Sequence, residues 1–121
     1  MKQLFILLAG VFFSSSVFAQ DIISAFKNGN ATEIAAFFDT SVEITIGEKS
    51  SANNKSKGEE LLRNFFKETG VKNFEVIHKS GSASAQYYIG NLSTNAGVYR
   101  TTIFLKQKNN KSLVQEIRFE K

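Results

Sequence analysis

The spacing of apolar residues in this chain changes at Gly70, and that change sets the fold class. Just before it, Leu61, Leu62, Phe65 and Phe66 lie three and four apart, one stripe of a helix that Gly70 closes. Beyond it the period is two. Phe74, Val76 and His78 alternate with Glu75, Ile77 and Lys79, and strand-like runs follow at Ala83 to Leu92, Val98 to Gln107 and Leu113 to Glu120. The linkers are Ser80-Gly81-Ser82, Ser93 to Gly97, and Lys108 to Lys111 with Asn109-Asn110 at the tip. All are short and turn-rich, which makes the late strands antiparallel neighbours.

The segment before that helix adds two shorter helices and a strand. Asp21 can cap a helix through Ile22, Ile23, Ala25 and Phe26, which Asn28-Gly29-Asn30 stops. Asn30 then caps a second helix with Glu33 at its third position, carrying Ile34, Phe37 and Phe38 on one stripe until Asp39-Thr40-Ser41 breaks it. Val42, Ile44 and Ile46 alternate with Glu43, Thr45 and Gly47 as a half-buried strand, and the polar stretch Glu48 to Lys55 reads as a hairpin with a weak edge strand. Ser56-Lys57-Gly58-Glu59 has the form of a capping box for the third helix. The expected fold is α+β, with three N-terminal helices packed on one face of a strongly curved antiparallel sheet.

Residues 1–19 read as an export signal. Lys2 precedes the apolar run Leu4 to Phe13, then come three serines, and Val17-Phe18-Ala19 sets small residues for a cut before Gln20. The run falls short of the roughly 20 apolar residues that span a bilayer, so no membrane span is expected once it is removed. The domain is then Gln20–Lys121, periplasmic or secreted. The chain has no cysteine and one histidine, which excludes a disulfide framework, a thiolate nucleophile and a His-rich metal site. No phosphate-binding loop, dinucleotide fingerprint, calcium loop or zinc-protease motif is present, so neither cofactor nor metal is expected.

Charge is uneven along the chain. Gln20–Glu48 carries one lysine against five acids, whereas Ser80–Lys121 carries six bases against two acids. Solvated faces of an ordinary domain account for this; an anionic partner or charge matching between subunits would be sharper uses of it. Nucleic acid is not an expected partner, because no cluster of aromatics with arginine of an RNA-binding type appears.

The order of elements and several strings resemble the nuclear transport factor 2-like superfamily, the cone-shaped, cystatin-like α+β fold. Ala25-Phe26-Lys27-Asn28-Gly29-Asn30 through Phe37-Phe38-Asp39 resembles its opening helices, Ser41 to Gly47 its first strand, and Lys57-Gly58-Glu59-Glu60-Leu61-Leu62-Arg63-Asn64-Phe65-Phe66 its third helix. More narrowly, Tyr88-Ile89-Gly90 and Gly97-Val98-Tyr99-Arg100 are similar to a small secreted family of unknown function from Bacteroidetes. The superfamily includes steroid isomerases and many non-enzymatic binders, so the fold alone gives no activity. In the isomerases a Tyr on the first helix and an acid on the third strand build an oxyanion hole, and an Asp on the first strand abstracts the proton. The resemblance puts the Tyr and Asp positions at Ile22 and Ile44, and the span Lys79 to Gln115 has no acidic residue. That dyad cannot be assembled here.

Four residues remain as candidate ligand contacts. His78 is in phase with Phe74 and Val76, and Gln115 with Leu113, Ile117 and Phe119, so both should face inward; Tyr87 and Tyr99 are strand tyrosines able to offer a hydroxyl. Each has an ordinary structural alternative as a core or surface residue. Arg100 can pair across strands with Glu116. The late strands carry apolar residues in both phases, Tyr99, Ile103 and Leu105 against Val98, Phe104 and Tyr88, which makes the back of the sheet a candidate homodimer interface. The reading is an exported, non-catalytic binding or interaction module, with a small apolar ligand in the cone or protein at the sheet back. The alternative is an isomerase- or lyase-type enzyme using His78 and a strand tyrosine.

Overall fold

The computed structural model describes residues 21–121; the expected export signal and its cut after Ala19 lie outside the described residues. Helix α1 occupies residues 21–27, and Asp21 is already helical rather than capping. It ends in paired bonds, Asn30 N–H to Ala25 C=O at 2.9 Å and Gly29 N–H to Phe26 C=O at 3.1 Å, around Gly29 at φ 60°. Asn30 both ends this turn and starts α2, Ala31–Ala35, by accepting from the Glu33 N–H at 3.1 Å and donating its amide to the Glu33 carboxylate at 2.8 Å. Helix α2 is shorter than its apolar stripe suggests. Phe38 already begins strand β1, Phe38–Ile46, because its backbone pairs with the last strand instead of continuing the helix.

Strand β2, Lys49–Asn53, folds back on β1 as an exposed edge. Helix α3, Lys55–Thr69, is capped by Asn54, which accepts from Lys57 N–H at 2.9 Å, so its cap lies two residues before the expected Ser56. Gly70 closes it in the left-handed conformation, φ 70°, donating to Phe66 C=O at 2.8 Å. Gly58 lets the helix lie close on β1, since a Cβ there would sit 2.9 Å from the Phe38 ring and 3.0 Å from Val42 Cγ1.

Strands β3 (Val71–Gly81), β4 (Ala85–Thr94), β5 (Gly97–Lys108) and β6 (Lys111–Glu120) form the antiparallel meander, and the curved sheet runs β2-β1-β6-β5-β4-β3. One pairing departs from an all-antiparallel sheet: β6 lies parallel to β1, with Ile44 opposite Ile117 and Ile46 opposite Phe119. The chain crosses from β2 through α3 to the far edge and meanders back, so β6 returns beside β1 in the same direction.

The core is an aromatic cluster contributed by both layers. Phe65 and Phe119 have ring centroids 4.5 Å apart, Phe26 and Phe74 5.3 Å, and Phe66 meets Phe119 edge-on at 6.2 Å. Ile22, Ile34, Leu62, Leu92, Ile103 and Ile117 surround them, each fully buried. Tyr88 belongs to this covered side, 7% exposed and opposite Ile103, rather than to the sheet back with Val98 and Phe104 as expected. Removing a ring from such a cluster leaves a cavity. Phe119→Ala should lose about 3–5 kcal/mol, out of the roughly 5–15 kcal/mol holding a domain of this size. Exposed Ile77→Ala should stay within about 0.5 kcal/mol. Urea midpoints of both variants against the parent check this.

Candidate functional site

Residues directly opposite in an antiparallel pair share a face. On β4 and β5, Tyr88, Gly90 and Leu92 oppose Ile103, Thr101 and Tyr99 on the helix-covered face. The alternate set, Tyr87, Ile89 and Asn91 opposite Phe104, Thr102 and Arg100, forms the open face. Tyr87 and Phe104 stack there, centroids 4.5 Å apart and planes at 22°, with Tyr87 41% exposed. A cross-strand aromatic stack contributes about 0.5–1.5 kcal/mol to the sheet, yet the pair still offers ring surface to solvent.

Bulges move two of the candidate residues off their expected phase. On β3 the register shifts between Val76, opposite Gly90, and His78, opposite Ile89. The extra residue turns His78 out to the open face, where its exposed side chain makes no hydrogen bond to any described residue. On β6, Val114 opposes Leu105 and Glu116 opposes Phe104, which leaves Gln115 between them without a β5 partner. Val114 takes the buried position, and Gln115 is half-buried with its amide directed to Asp39 rather than into the core.

Strand β1 is bulged at the same level. Phe38 pairs with Val114 and Glu43 with Glu116, so the segment from Asp39 to Val42 faces Gln115 alone. Phe38 fills the core and Asp39 points away from it. The Asp39 Oδ2 atom accepts from Gln115 Nε2 at 2.8 Å and contacts Lys108 Nζ at 2.6 Å, while Oδ1 accepts from Thr40 N–H at 2.7 Å. The Lys108 ammonium first, then the Gln115 amide and the Thr40 N–H, hold this carboxyl well below the usual carboxylate range. Sequence reasoning assigned Asp39 only the breaking of a helix. An acid directly after two phenylalanines at a strand start was its one visible signal.

His78, Tyr87 and Gln115 thus leave the covered face, and Tyr99 stays on it, half-buried and edge-on to Phe65 at 5.1 Å, with Lys121 Nζ 5.4 Å from its ring. The four candidates do not converge on one interior pocket. Ile22 and Ile44, where the resemblance would set a catalytic Tyr and Asp, are core residues with 0% and 1% exposure. Arg100 does not meet Glu116: its strand partners are Asn91 and Glu120, and Glu120 pairs with Arg118 at 3.1 Å. On the other side of the molecule, a depression of about 560 Å³ lies between the α1–α2 turn and α3, lined by Asn28, Gly29, Thr32, Arg63, Lys67 and Val71 among others.

The Asp39 cluster carries a pH dependence. A carboxyl with a depressed folded-state value stabilises the fold above its unfolded value and loses that contribution as pH falls through the folded one. Stability should therefore drop progressively below about pH 4, and an Asp39→Asn variant should show a shallower acid dependence while being weaker at pH 7. Thermal unfolding of both proteins between pH 2 and 7 reads this out.

The comparisons agree with this architecture. A search of curated proteins finds no match. A crystal structure of a DUF4783 family protein from Bacteroides ovatus aligns with TM-score 0.81 at 30% identity, covering 84% of this chain and 92% of that one. An NTF2-like protein of unknown function from Cytophaga hutchinsonii aligns with TM-score 0.61 at 7% identity over 84% of each chain. A cystatin-like domain of unknown function from Nostoc punctiforme aligns with TM-score 0.66 at 10% identity, over 88% of this chain and 75% of that one. The last two share the fold with this chain and nothing more specific. The family model described as "Domain of unknown function (DUF4783)" matches residues 19–120, and with the helix-backed curved sheet and the 30% identical relative it establishes that the chain belongs to the DUF4783 family.

Proposed function

We propose that this protein is an exported, non-catalytic interaction module whose open sheet face docks a second copy of the chain. The stacked pair Tyr87–Phe104 carries the reading. It presents aromatic surface on a sheet face that no helix among the described residues covers, with Tyr87 41% exposed despite the stack. Ile89 lies beside it in half-buried form, and Ile77 and Val98 are 51% and 54% exposed. Aromatic residues flanked by charge are the usual anchors of protein interfaces.

A two-fold interface joins a patch to itself, so the patch must carry both signs of charge. Arg100 on β5 and Glu116, Arg118 and Glu120 on β6 share the open face with the aromatic pair. The covered face argues against a small apolar ligand as the main cargo, because Phe26, Phe65, Phe66, Phe74 and Phe119 pack against one another where such a ligand would sit. The alternative enzyme lacks support as well. His78 and Tyr99 lie on opposite faces, and among the described residues no three His, Asp or Glu side chains gather as a metal would need. Export rests on the pattern Leu4 to Ala19, and no helix among the described residues is long and apolar enough to cross a membrane.

Phe104→Glu tests this. Sedimentation of the parent chain at micromolar concentration should give a dimer, and the variant should keep its circular dichroism while its dissociation constant rises at least about 30-fold, as for loss of an aromatic anchor. A monomeric parent, or equal dimerisation by the variant, would remove the open face as the interface.

A further inference from the structure

The depression on the helix side brings two cationic side chains together at the junction of α2 and α3. Arg63 and Lys67 sit one turn apart on α3 and both line it. Like charges at that spacing repel. Arg63 is held in place: Glu59 contacts its Nη2, which also donates to Thr32 Oγ1 at 3.1 Å, and Thr32 in turn donates to Glu59 at 3.2 Å. A guanidinium has five N–H donors, so the fixed group keeps donors to spare. Lys67 forms no ion pair with any described carboxylate, and the Asn28 side-chain amide at the rim has no hydrogen-bond partner among the described residues, its backbone N–H donating to Ser24 C=O at 3.0 Å. Phe66 and Val71 also line the depression and give it an apolar floor. Glycine at position 29 shapes the wall, since a Cβ there would press within 3.0 Å of Val71.

We propose that this depression is a binding site for a small organic carboxylate, with the anion between Arg63 and Lys67 and a short apolar body against Phe66 and Val71. Its chemistry is complementary in three respects. The pinned arginine offers the planar fork that matches a carboxylate. The lysine, which has no ion pair of its own among the described residues, supplies a second positive group for the anion. The volume, about 560 Å³, falls within the range of small-molecule sites. Glu59 does not itself line the depression, and its carboxylate is engaged with Arg63 Nη2 and the Thr32 hydroxyl. The site is remote from Tyr87 and Phe104 and does not depend on dimerisation.

An NMR titration of the ¹⁵N-labelled protein with sodium benzoate, at constant ionic strength set by chloride, tests the site. Saturable shifts should fall on the amides of residues 28–32 and 63–71. Lys67→Gln, a change on an exposed helix surface, should weaken binding at least about tenfold, as for loss of one charge-assisted contact, and Lys67→Arg should restore it. Shifts that rise linearly without saturating, map elsewhere or persist unchanged in Lys67→Gln would overturn the site. Inorganic phosphate binding the same amides as tightly as benzoate would overturn the organic ligand class, since the apolar floor would then contribute nothing.

Discussion

The contact between Phe65 and Phe119 organises the molecule. Phe65 lies in the middle of α3 and Phe119 at the end of β6, with centroids 4.5 Å apart, so the longest helix and the last strand are tied through one pair of rings. Phe26 brings α1 to the same point and Phe74 brings β3. These residues are far apart in sequence, so each must be positioned by its own element before the cluster can close. Asn30, Asn54 and Gly70 do that locally, by fixing where each helix begins or ends. Once closed, the cluster occupies the inside of the curved sheet with hydrocarbon. Ile22 and Ile44, where the resemblance would set a catalytic Tyr and Asp, are among the residues that fill it.

Bulges decide what that outside looks like. A strand alternates faces strictly, so a residue inserted in one strand reverses every side chain beyond it. The insertion before His78 brings the chain's one histidine to the open face beside Ile89. The irregularity at Gln115 meets a longer one in β1, and the space between them is filled by the carboxylate of Asp39 with Gln115, Lys108 and Thr40 around it. An ion pair beside half-buried groups would be costly if left incomplete. Here both carboxylate oxygens have partners, and the cluster pins β1 to the β5–β6 hairpin at the level where regular pairing fails.

Much of this was legible in the residues. The apolar stripe of Leu62, Phe65 and Phe66, the Gly70 stop, the Asn30–Glu33 cap and the antiparallel meander all follow from local pattern, and local pattern is what sequence records directly. The outward phase of Phe104 was legible for the same reason. Three things were not. The parallel contact of β6 with β1 depends on the path of the whole chain, which no local period encodes. The end of α2 at Ala35 depends on Phe38 finding β6, a tertiary pairing that overrides the helical stripe. The phases of His78 and Gln115 depend on single inserted residues, and Ile77 and Gln115 look like any other strand positions. The candidate site was therefore half readable: Tyr87 was named, but on the assumption of an interior pocket, and Asp39 was passed over because its partners arrive from distant strands.

The filled interior and the proposed docking of a second copy on the open face stand together. Native mass spectrometry of the protein purified without denaturation tests both halves at once. The account predicts an ion of two chains with no added small-molecule mass beyond a ligand removable by mild activation from the exposed α3 depression. A single chain that holds a bound apolar molecule through collisional activation would contradict it, because such a molecule could be retained only inside the cluster of Phe26, Phe65, Phe66, Phe74 and Phe119.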